Sequence, residues 1–321
     1  MKSIILVGGQ GTRLRPLTYE TPKQLLPLLG TPMIEQVVAH MASHGVTEVV
    51  LSMGYLPDRF VETYPSGSVG GVALTYVVEP APLDTAGAIR YAAATAGIDE
   101  TFIVVNGDVL TDVDLSSLVD FHHAKGAVGT IALTRVDDPS RFGVVVTDDN
   151  GQVQAFVEKP PRELAPTNEI NAGIYVFEPS VLDRIASEGR VSVERDTFPA
   201  LAAEGLLFAR ASDEYWLDTG TPQTFIQANV DALAKGTTAG VFHGTWVHPD
   251  ATVDASARLM NSVVDRGCVI GPNVVLDQVV VMPDAQIDEG VEIHRAIIAP
   301  RSVVTRTHVI ESDSIFDSAI G

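Results

Sequence analysis

Residues Ile4-Ile5-Leu6-Val7-Gly8-Gly9-Gln10-Gly11-Thr12-Arg13-Leu14-Arg15-Pro16-Leu17-Thr18, followed by Pro22-Lys23, decide the fold of this chain. An apolar run that passes directly into glycines is typical of a buried strand followed by a ligand-binding loop. Successive backbone N–H groups in such a loop can bind an anion. The segment therefore predicts a strand and an anion-binding loop at the start of an α/β domain.

The glycines of this loop fit neither of two common phosphate-binding patterns. A dinucleotide-binding loop needs Gly-x-Gly-x-x-Gly, and counted from Gly9 its last position is Leu14. A P-loop needs Gly-Lys-Ser/Thr after its second glycine, and that is absent. Arg13, Arg15 and Lys23 stand there instead, in a chain with only five lysines. We interpret them as a basic cluster for an anionic ligand.

The chain up to residue 235 alternates short apolar runs with helical patterns. Buried strands are predicted at Ile4–Val7, Glu48–Leu51, Leu74–Val78 and Phe102–Val105, and helices at Ile34–Met41, Asp84–Ala96 and Leu115–Ala124. This alternation predicts a parallel sheet covered on both faces. After Val128 the pattern predicts a mixed region with strands at Gly143–Val146, Val153–Val157 and Ile174–Phe177, and helices near Val181–Ser187, Glu194–Glu204 and Gln223–Ala234.

The C-terminal region has a different period. Apolar residues recur every six positions in two series, Val269, Val275, Val281, Ile287, Ile293, Ala299 and Val279, Ala285, Val291, Ile297, Val303, Val309, with an earlier piece at Val247, Val253, Leu259. A six-residue repeat places one inward apolar residue on each face of a parallel β-helix. We therefore predict domains at 1–235 and 247–321, joined by a linker at 236–246, with the second domain a short left-handed β-helix.

Composition narrows the class of function. The chain has 321 residues, 45% of them apolar, and a formal net charge of −20. Such an acidic surface repels nucleic acid and anionic lipid, so we expect neither as a partner. The single cysteine, Cys268, excludes an intrachain disulfide. With no long apolar segment in the sequence, a cytoplasmic protein is expected.

Polar side chains follow several predicted strands. Asp108 comes directly after the strand that ends at Val105, at the sheet edge where open α/β sheets bind ligands. A carboxylate there is a candidate ligand for Mg²⁺ shared with phosphate oxygens, although an Asp that caps the next helix is the alternative. Asp218 is a second carboxylate at a strand end. Lys159, in Glu158-Lys159-Pro160, offers a cation to a second anionic substrate or is a surface lysine.

These segments together resemble one family. The residues 8–18, Pro22-Lys23, Asn106–Leu110, Glu158–Pro160, Asn171–Tyr175 and Trp216–Pro222, in this order, are similar to the sugar-1-phosphate nucleotidylyltransferases. Residues 191–201 and 106–110 are most similar to the mannose-1-phosphate guanylyltransferases of that family. The resemblance covers residues 1 to about 235 and extends to the hexapeptide domain that some members carry. It implies a Rossmann-like mixed sheet and transfer of a nucleotidyl group from a nucleoside triphosphate to a sugar 1-phosphate, with Mg²⁺.

The resemblance also implies roles for individual residues. Arg13 and Lys23 would bind the nucleotide phosphates, and Asp108 and Asp218 would hold Mg²⁺. Lys159 would bind the phosphate of the sugar phosphate. The remaining candidates are Gly8, Gly9, Gly11, Thr12, Glu79, Asp84 and Gly87 for the nucleotide, and Gly143, Glu158 and Asn171 for the sugar. Glu79 is expected to bind the base, because a carboxylate accepts from the two adjacent donors of guanine.

Two positions depart from the guanylyl pattern. Gln24 stands where proline is usual, so that residues 23–27 resemble thymidylyltransferases, and Asp84 replaces an expected glycine near the base-binding segment. Thymidylyl or adenylyl transfer to glucose 1-phosphate, and guanylyl transfer to another sugar-like phosphate, therefore stay open. So do a non-catalytic regulatory homologue and an added acyltransferase activity with His294 or His308 as base. The β-helix predicts a homodimer or a higher homo-oligomer.

Overall fold

The computed structural model describes residues 1–236, 241–242 and 244–319. These residues group into two compact units. Unit 1 contains Met1–Gly9 and Ile34–Trp216, and unit 2 contains Gln10–Met33 and the described residues from Leu217 onward. Of the predicted linker at 236–246, residues 237–240 and 243 lie outside the described residues. The domain boundary at residue 235 stays a prediction.

Unit 1 is built on a ten-stranded mixed sheet. Its main path runs in spatial order through Val153–Glu158, Gly143–Thr147, Glu169–Phe177, Phe102–Asn106, Lys2–Leu6, Glu48–Met53, Val72–Val78 and Ser68–Val69. Off this path, Gly129–Arg135 pairs with Glu169–Phe177, and Leu207–Ala211 pairs with Gly129–Arg135. The predicted α/β mixed sheet is therefore confirmed.

Four neighbouring strands of this sheet are parallel: Phe102–Asn106, Lys2–Leu6, Glu48–Met53 and Val72–Val78. The central residues of the first three are wholly buried, which explains their short apolar runs in the sequence, whereas Val72–Val78 is buried only at Val72, Leu74 and Val77. The chain leaves Lys2–Leu6 toward one side of the sheet and returns to its other side at Phe102–Asn106. A reversal of strand order at this point is where open α/β sheets bind ligands.

The helices are α1 (Met33–Ser43), α2 (Pro57–Thr63), α3 (Asp84–Thr95), α4 (Leu115–Lys125), α5 (Phe198–Ala203) and α6 (Pro222–Lys235). Single turns of tighter or wider helix occur at Thr12–Leu14, Leu17–Tyr19, Lys23–Leu25, Pro139–Arg141, Arg162–Leu164, Pro179–Arg184 and Val193–Thr197. The start of α4 is capped by Asp114, whose side chain accepts from the Ser117 N–H at 2.9 Å. None of the helices in the described part of the chain has the length and apolar character that crossing a bilayer requires.

The structure corrects several predicted elements. The helix expected at Val181–Ser187 is a 3₁₀ helix at Pro179–Arg184. The helix expected at Glu194–Glu204 is divided into a π-helical turn, Val193–Thr197, and α5. Proline in the first turn of α5 has no N–H to donate to the preceding turn, so regular α-helix begins only there. The strands Gly129–Arg135 and Leu207–Ala211, and helix α2, were not predicted.

Unit 2 contains the predicted β-helix. Its strands are Val241–Phe242, Thr245–Val247, Thr252–Val253, Arg258–Met260, Val263–Val264, Val269–Ile270, Val275–Asp277, Val280–Val281, Gln286–Ile287, Glu292–His294, Ala296–Ile298, Val303–Val304 and Ser314–Phe316. From Thr245 onward they stack as parallel strands in three sheets, consistent with a left-handed β-helix. Other short strands are Pro27–Leu28, paired with Thr31–Pro32, and Val109–Thr111 and Trp216–Asp218.

The repeat of the β-helix differs from the predicted six-residue period. Val264 pairs with Val281 and Ile270 pairs with Ile287, so one coil has 17 residues rather than 18. The inward row therefore advances by six, six and five residues, through Val247, Val253, Leu259, Val264, Ile270, Leu276, Val281, Ile287, Ile293, Ile298 and Val304. The predicted series drift out of phase with this row. Val269 and Val303 are consequently exposed, and so is Val309.

One face of the β-helix is covered within unit 2. Side chains of the segment 14–29, of α6 and of the β-helix form one apolar cluster: Leu14, Leu17, Leu26, Leu29, Phe225, Ile226, Leu233, Trp246, Val263, Val280, Met282, Ile297 and Ala299. The backbone approaches most closely at Gly30, where an added Cβ would collide with the Trp246 ring. The glycine-rich loop at Gln10–Met33 thus belongs to the same compact unit as the β-helix.

Candidate functional site

In unit 1, the ends of three parallel strands converge on the first glycines. A Cβ added to Gly8 would lie 3.0 Å from the Oε1 atom of Glu79, and one added to Gly54 would lie 3.3 Å from the carbonyl oxygen of Gly8. Gly8, Gly54 and Glu79 each follow a different strand of the parallel set. A side chain at Gly8 would crowd the Glu79 carboxylate, which would have to shift by a few tenths of an ångström.

Glu79 is a half-buried carboxylate with one oxygen already engaged. Its Oε2 atom accepts a hydrogen bond from the Leu83 N–H at 3.1 Å. Burial raises the pKa of Glu79, the Leu83 hydrogen bond opposes this, and the nearby charge of Asp84 adds to it. Its Oε1 atom is the one beside Gly8. Gly87, the other predicted residue here, is buried on α3 and packs against Leu83.

Asp108 follows the strand Phe102–Asn106, at the point where the order of strands in the sheet reverses. The Gly107 N–H donates to the Leu6 carbonyl at 3.0 Å, and a Cβ on Gly107 would come within 2.8 Å of Val7. The segment 106–108 therefore passes over the end of the strand Lys2–Leu6, which holds the half-buried Asp108 in unit 1 near the Gly8 loop. Asn106, two residues earlier, packs against Gly173.

The residues predicted to bind the sugar phosphate come together in unit 1. Gly143 pairs with Glu158 across neighbouring strands, and a Cβ on Gly143 would collide with the Phe156 ring. Lys159 has a positive φ of 47°, and its Nζ atom lies 2.9 Å from Oε1 of Glu158. Asn171 donates from Nδ2 to the Tyr175 hydroxyl at 3.0 Å and accepts from the Gly173 N–H at 2.9 Å.

An open pocket of about 430 Å³ lies beside Glu158 and Lys159. Its other lining residues are Asp84, Thr85, Ser192, Glu194 and Arg195. Within it the Glu194 carboxylate is fixed by two hydroxyl groups, because Oε2 accepts from Thr85 at 3.0 Å and from Ser192 at 2.8 Å. Thr85, Ser192, Glu194 and Arg195 were given no role from sequence. The only available signal was the family-like segment 191–201.

Asp84 belongs to this pocket, although the sequence placed it with the nucleotide. Its Oδ1 atom accepts from Arg190 Nη2 at 2.6 Å, and its Oδ2 atom accepts from Arg195 Nη2 at 3.3 Å. Both oxygens are therefore engaged by arginines. Glu79 therefore remains the candidate for the base, because its Oε1 atom lies against Gly8.

In unit 2, Gly11 shapes the basic part of the glycine-rich loop. Gly11 has a left-handed φ of 60°, and its carbonyl accepts from the Thr18 hydroxyl at 2.8 Å. A Cβ there would lie 3.0 Å from Thr18 and 3.3 Å from the Cβ of Lys23, so the loop folds back onto Lys23. Gly9 in unit 1, and Thr12 in unit 2, are exposed.

Unit 2 also brings Arg13 and Asp218 together. A Cβ on Gly220 would lie 2.8 Å from Arg13 Nη2 and 2.8 Å from Asp218 Oδ1. The Asp218 carboxylate also accepts from the Gly220 N–H at 2.8 Å. Gly220 thus allows the arginine and the carboxylate to approach the same backbone position, a role the sequence did not suggest.

The remaining candidates from the sequence are the metal ligands and two histidines of the β-helix. No group of three or more His, Cys, Asp or Glu side chains in the described residues is arranged to hold a metal ion. Mg²⁺ shared with substrate phosphates needs only one or two carboxylates, so that Asp108 and Asp218 stay predicted ligands. His294 lies between Glu292 and Asp277, and His308 is bonded to Thr305 and packs on Phe316.

Two family models match this chain. The model described as Nucleotidyl transferase matches residues 2–235. The model described as GMPPB C-terminal domain matches residues 241–320.

Named relatives agree with these matches. The chain is 44% identical over 236 residues to "Mannose-1-phosphate guanylyltransferase" of Mycobacterium tuberculosis, covering 73% of this chain and 65% of that protein. It is 40% identical over 261 residues to "Mannose-1-phosphate guanyltransferase" of Kluyveromyces lactis, covering 79% of this chain and 72% of that protein. The chain thus spans about two thirds of the length of the relatives it matches.

A solved structure shares the fold. The crystal structure of HddC from Yersinia pseudotuberculosis complexed with GMP-PN superposes with a TM-score of 0.62. It is 26% identical to this chain and covers 72% of this chain and 99% of that one.

Proposed function

We propose, from the premise that this chain belongs to the nucleotidyl transferase family, that it transfers a guanylyl group from GTP to mannose 1-phosphate. The products are GDP-mannose and pyrophosphate. The observation that carries the proposal is the match of both parts of the chain, since the relatives named for this activity are 40–44% identical and the C-terminal model is also guanylyltransferase-related.

The chemistry of Glu79 supports guanine as the base. An ionised carboxylate only accepts hydrogen bonds, and guanine presents two adjacent donors, N1–H and the N2 amino group. Thymine and uracil present one N–H between two carbonyl oxygens, which a carboxylate would repel. The Oε1 atom of Glu79 lies beside Gly8, at the start of the loop proposed for the nucleotide.

We assign the nucleotide phosphates to the glycine-rich loop, with Arg13 and Lys23 as its cations. The left-handed turn at Gly11 and its packing against Lys23 support this assignment within unit 2. Nucleotidyl transferases generally use a divalent metal. Asp108 and Asp218 are the proposed carboxylate ligands of Mg²⁺, which when bound would offset phosphate charge.

The sugar phosphate is assigned to the pocket of unit 1. Lys159 would bind its phosphate, and Glu158, Asn171 and the backbone at Gly143 would face the sugar hydroxyls. The pairing of Gly143 with Glu158 supports this assignment, because the lack of a side chain at Gly143 makes room for the Phe156 ring and for the Glu158 carboxylate.

The reaction joins two polyanions. A phosphate oxygen of mannose 1-phosphate attacks the α-phosphorus of GTP and forms a new P–O bond. The bond from the α-phosphorus to the bridging oxygen of the β-phosphate breaks, and its electron pair leaves with pyrophosphate. Lys159 would orient the attacking phosphate, and Arg13 and Lys23 would offset the charge that develops on the leaving group. Positioning and charge stabilisation suffice for such a transfer without a protein nucleophile.

A matrix of nucleotides against sugar 1-phosphates tests the proposal. Pyrophosphate release would be measured for GTP, dTTP, UTP and ATP, each with mannose 1-phosphate and glucose 1-phosphate. We expect the highest kcat/KM for GTP with mannose 1-phosphate. Asp108→Asn should lower kcat by at least ~10²-fold, the scale for loss of one preorganised electrostatic contact. No pyrophosphate release with any pair would favour a non-catalytic homologue.

Thymidylyl transfer to glucose 1-phosphate is the second candidate, on the evidence of Gln24. Gln24 is almost wholly buried in unit 2, and its Oε1 atom has no hydrogen-bond partner among the described residues. Because the amide is buried within the protein, it does not indicate which nucleobase the enzyme prefers. A higher kcat/KM for dTTP than for GTP would support this candidate.

We also propose that the β-helix mediates a homo-oligomer, most simply a symmetric dimer. The cytoplasmic location expected from the sequence stays a prediction.

A further inference from the structure

Both cations that line the pocket, Lys159 and Arg195, are paired with carboxylates. Lys159 pairs with Glu158 at 2.9 Å, and Asp84 pairs with Arg190 at 2.6 Å and with Arg195 at 3.3 Å. The hydrogen bond to Asp84, together with the charge of that carboxylate, raises the pKa of Arg190. Two exposed arginines at the pocket are thus held by one carboxylate that is itself mostly covered.

The backbone at Asp84 is unusual for a residue with a side chain. Its φ is +58°, in the left-handed region where glycine is most at ease, although Asp and Asn tolerate it better than most residues. The family resemblance leads one to expect glycine at this position. The backbone at this position is thus one that suits glycine. The difference from the family pattern is therefore the added carboxylate of Asp84.

We propose that Asp84 determines acceptor specificity: it engages Arg190 and Arg195, offsets one of their two positive charges, and so disfavours sugar 1-phosphates that carry a second anionic group. The inference rests on the proposed function and concerns the acceptor pocket of that same site.

The physical argument is one of charge. Arginine binds phosphate or carboxylate through parallel N–H donors, so two unneutralised arginines at the pocket would hold a second anionic group on the sugar. Asp84 already accepts from these donors, and its own charge repels such a group. A sugar whose only anion is the 1-phosphate gains nothing from the arginines and is not penalised. Lys159 remains in the pocket for that phosphate.

The test compares two acceptors with GTP held at saturation. The kcat/KM for mannose 1-phosphate and for mannose 1,6-bisphosphate would be measured in the wild type, in Asp84→Asn and in Asp84→Gly. Asparagine keeps the shape of the side chain and tolerates the left-handed backbone, so it removes mainly the charge. We expect the ratio of bisphosphate to monophosphate kcat/KM to rise about tenfold in both variants, a change of about 1.4 kcal/mol.

Two controls assign this effect. Asp99→Asn removes an exposed carboxylate of unit 1 outside the pocket and should leave the ratio unchanged. Replacing Arg190 and Arg195 by Gln in the Asp84→Asn background should abolish the gain, because the arginines would provide it. A ratio that stays within twofold of wild type in Asp84→Asn would overturn the proposal, as would a gain that survives loss of both arginines.

A binding measurement separates this inference from the proposed function. If the wild type released no pyrophosphate with any acceptor, the proposed function would fail. Titration calorimetry of mannose 1,6-bisphosphate into wild type and Asp84→Asn would then decide. Binding at least tenfold tighter to the variant would support the charge filter, and equal affinity would overturn it. A thermal melt of each variant checks that it is folded.

Discussion

Lys159 and Arg13 are both cations, but they lie in different units and have different neighbours. Lys159 is paired with Glu158 in the acceptor pocket, whereas Arg13 lies with Asp218 at Gly220. If they bind different phosphates, their removal should affect different substrates. A single anion site would predict the same effect from both changes.

We therefore expect Lys159→Ala to raise mainly the KM for the sugar phosphate, and Arg13→Ala to impair mainly the use of the nucleotide, with a loss of at least ~10²-fold in kcat. Initial rates with each substrate varied separately measure the difference. Lys125→Ala, which removes a half-buried lysine at the end of α4 that contacts the Phe121 ring and has no proposed role, is the control. If both variants changed only the KM for the nucleotide, Lys159 would have been assigned to the wrong substrate.

The carboxylate of Glu79 predicts how the KM for GTP depends on pH. Only the ionised carboxylate can accept from both guanine donors, and burial raises its pKa. The ionised form is therefore lost, as pH falls, at a higher pH than for an exposed glutamate. We expect the KM for GTP to rise in that range in the wild type, and Glu79→Gln to remove this dependence.

The same variant should reduce the preference for GTP over dTTP by roughly 1–3 kcal/mol, the range for an unmet buried polar group. Glu62→Gln, on the exposed face of α2, is the control. An unchanged GTP preference in Glu79→Gln would place base recognition elsewhere.

At the scale of elements, three of the four parallel strands could be predicted because both of their faces are buried. Phe102–Asn106 is a continuous apolar run for that reason. Gly129–Arg135 is equally buried but begins with Gly and Thr, so it lacks that pattern at its start. The pairing of Asp84 with Arg190 could not be predicted, because it joins residues that are far apart in the sequence and only the tertiary fold brings them together.

The register of the β-helix is a second feature that the sequence predicts only in part. A six-residue repeat is visible in the sequence, but the shorter third side of each 17-residue coil is fixed by strand pairing. Strict counting by six therefore predicts an inward Val303, whereas the structure buries Val304 completely and exposes 39% of Val303.

These two neighbouring valines provide a direct test of the register. Val304→Ala should lower the free energy of unfolding by about 2 kcal/mol, since it removes buried apolar surface and leaves a cavity. Val303→Ala should change it by less than about 0.5 kcal/mol, as surface substitutions usually do. Urea or thermal unfolding of the full chain measures both. A larger loss of stability in Val303→Ala than in Val304→Ala would instead support the strict six-residue register.

At the scale of the whole molecule, an oligomer is predicted from the β-helix, whose strands carry the exposed side chains of Met260, Val269 and Val303. Light scattering of the full chain at high micromolar concentration should give at least twice the monomer mass of 34.1 kDa. Charged substitutions at these three positions together should lower that mass without unfolding the chain, because the residues are exposed. A monomer at every concentration would contradict the prediction.

The packing of unit 2 gives the β-helix a second role. It shares one apolar cluster with α6 and with residues 14–29, the segment that carries Lys23 and follows Arg13. A fragment ending at Lys235 keeps every proposed catalytic residue but loses Trp246 and the β-helix side of this cluster. Apolar side chains of the loop segment would then be exposed to water, and the loop would lose the support that fixes its cations.

We therefore expect the fragment 1–235 to melt at a lower temperature than the full chain and to lose at least tenfold in kcat/KM for the nucleotide. Trp246→Ala in the full chain separates this effect from assembly, because it keeps the exposed face of the β-helix intact. It should cost about 3–5 kcal/mol of stability, the usual range for a buried aromatic, while the oligomer mass stays the same. If the fragment kept the wild-type kcat/KM and Trp246→Ala were as stable as wild type, the cluster would not support the loop, and the β-helix would act through assembly alone.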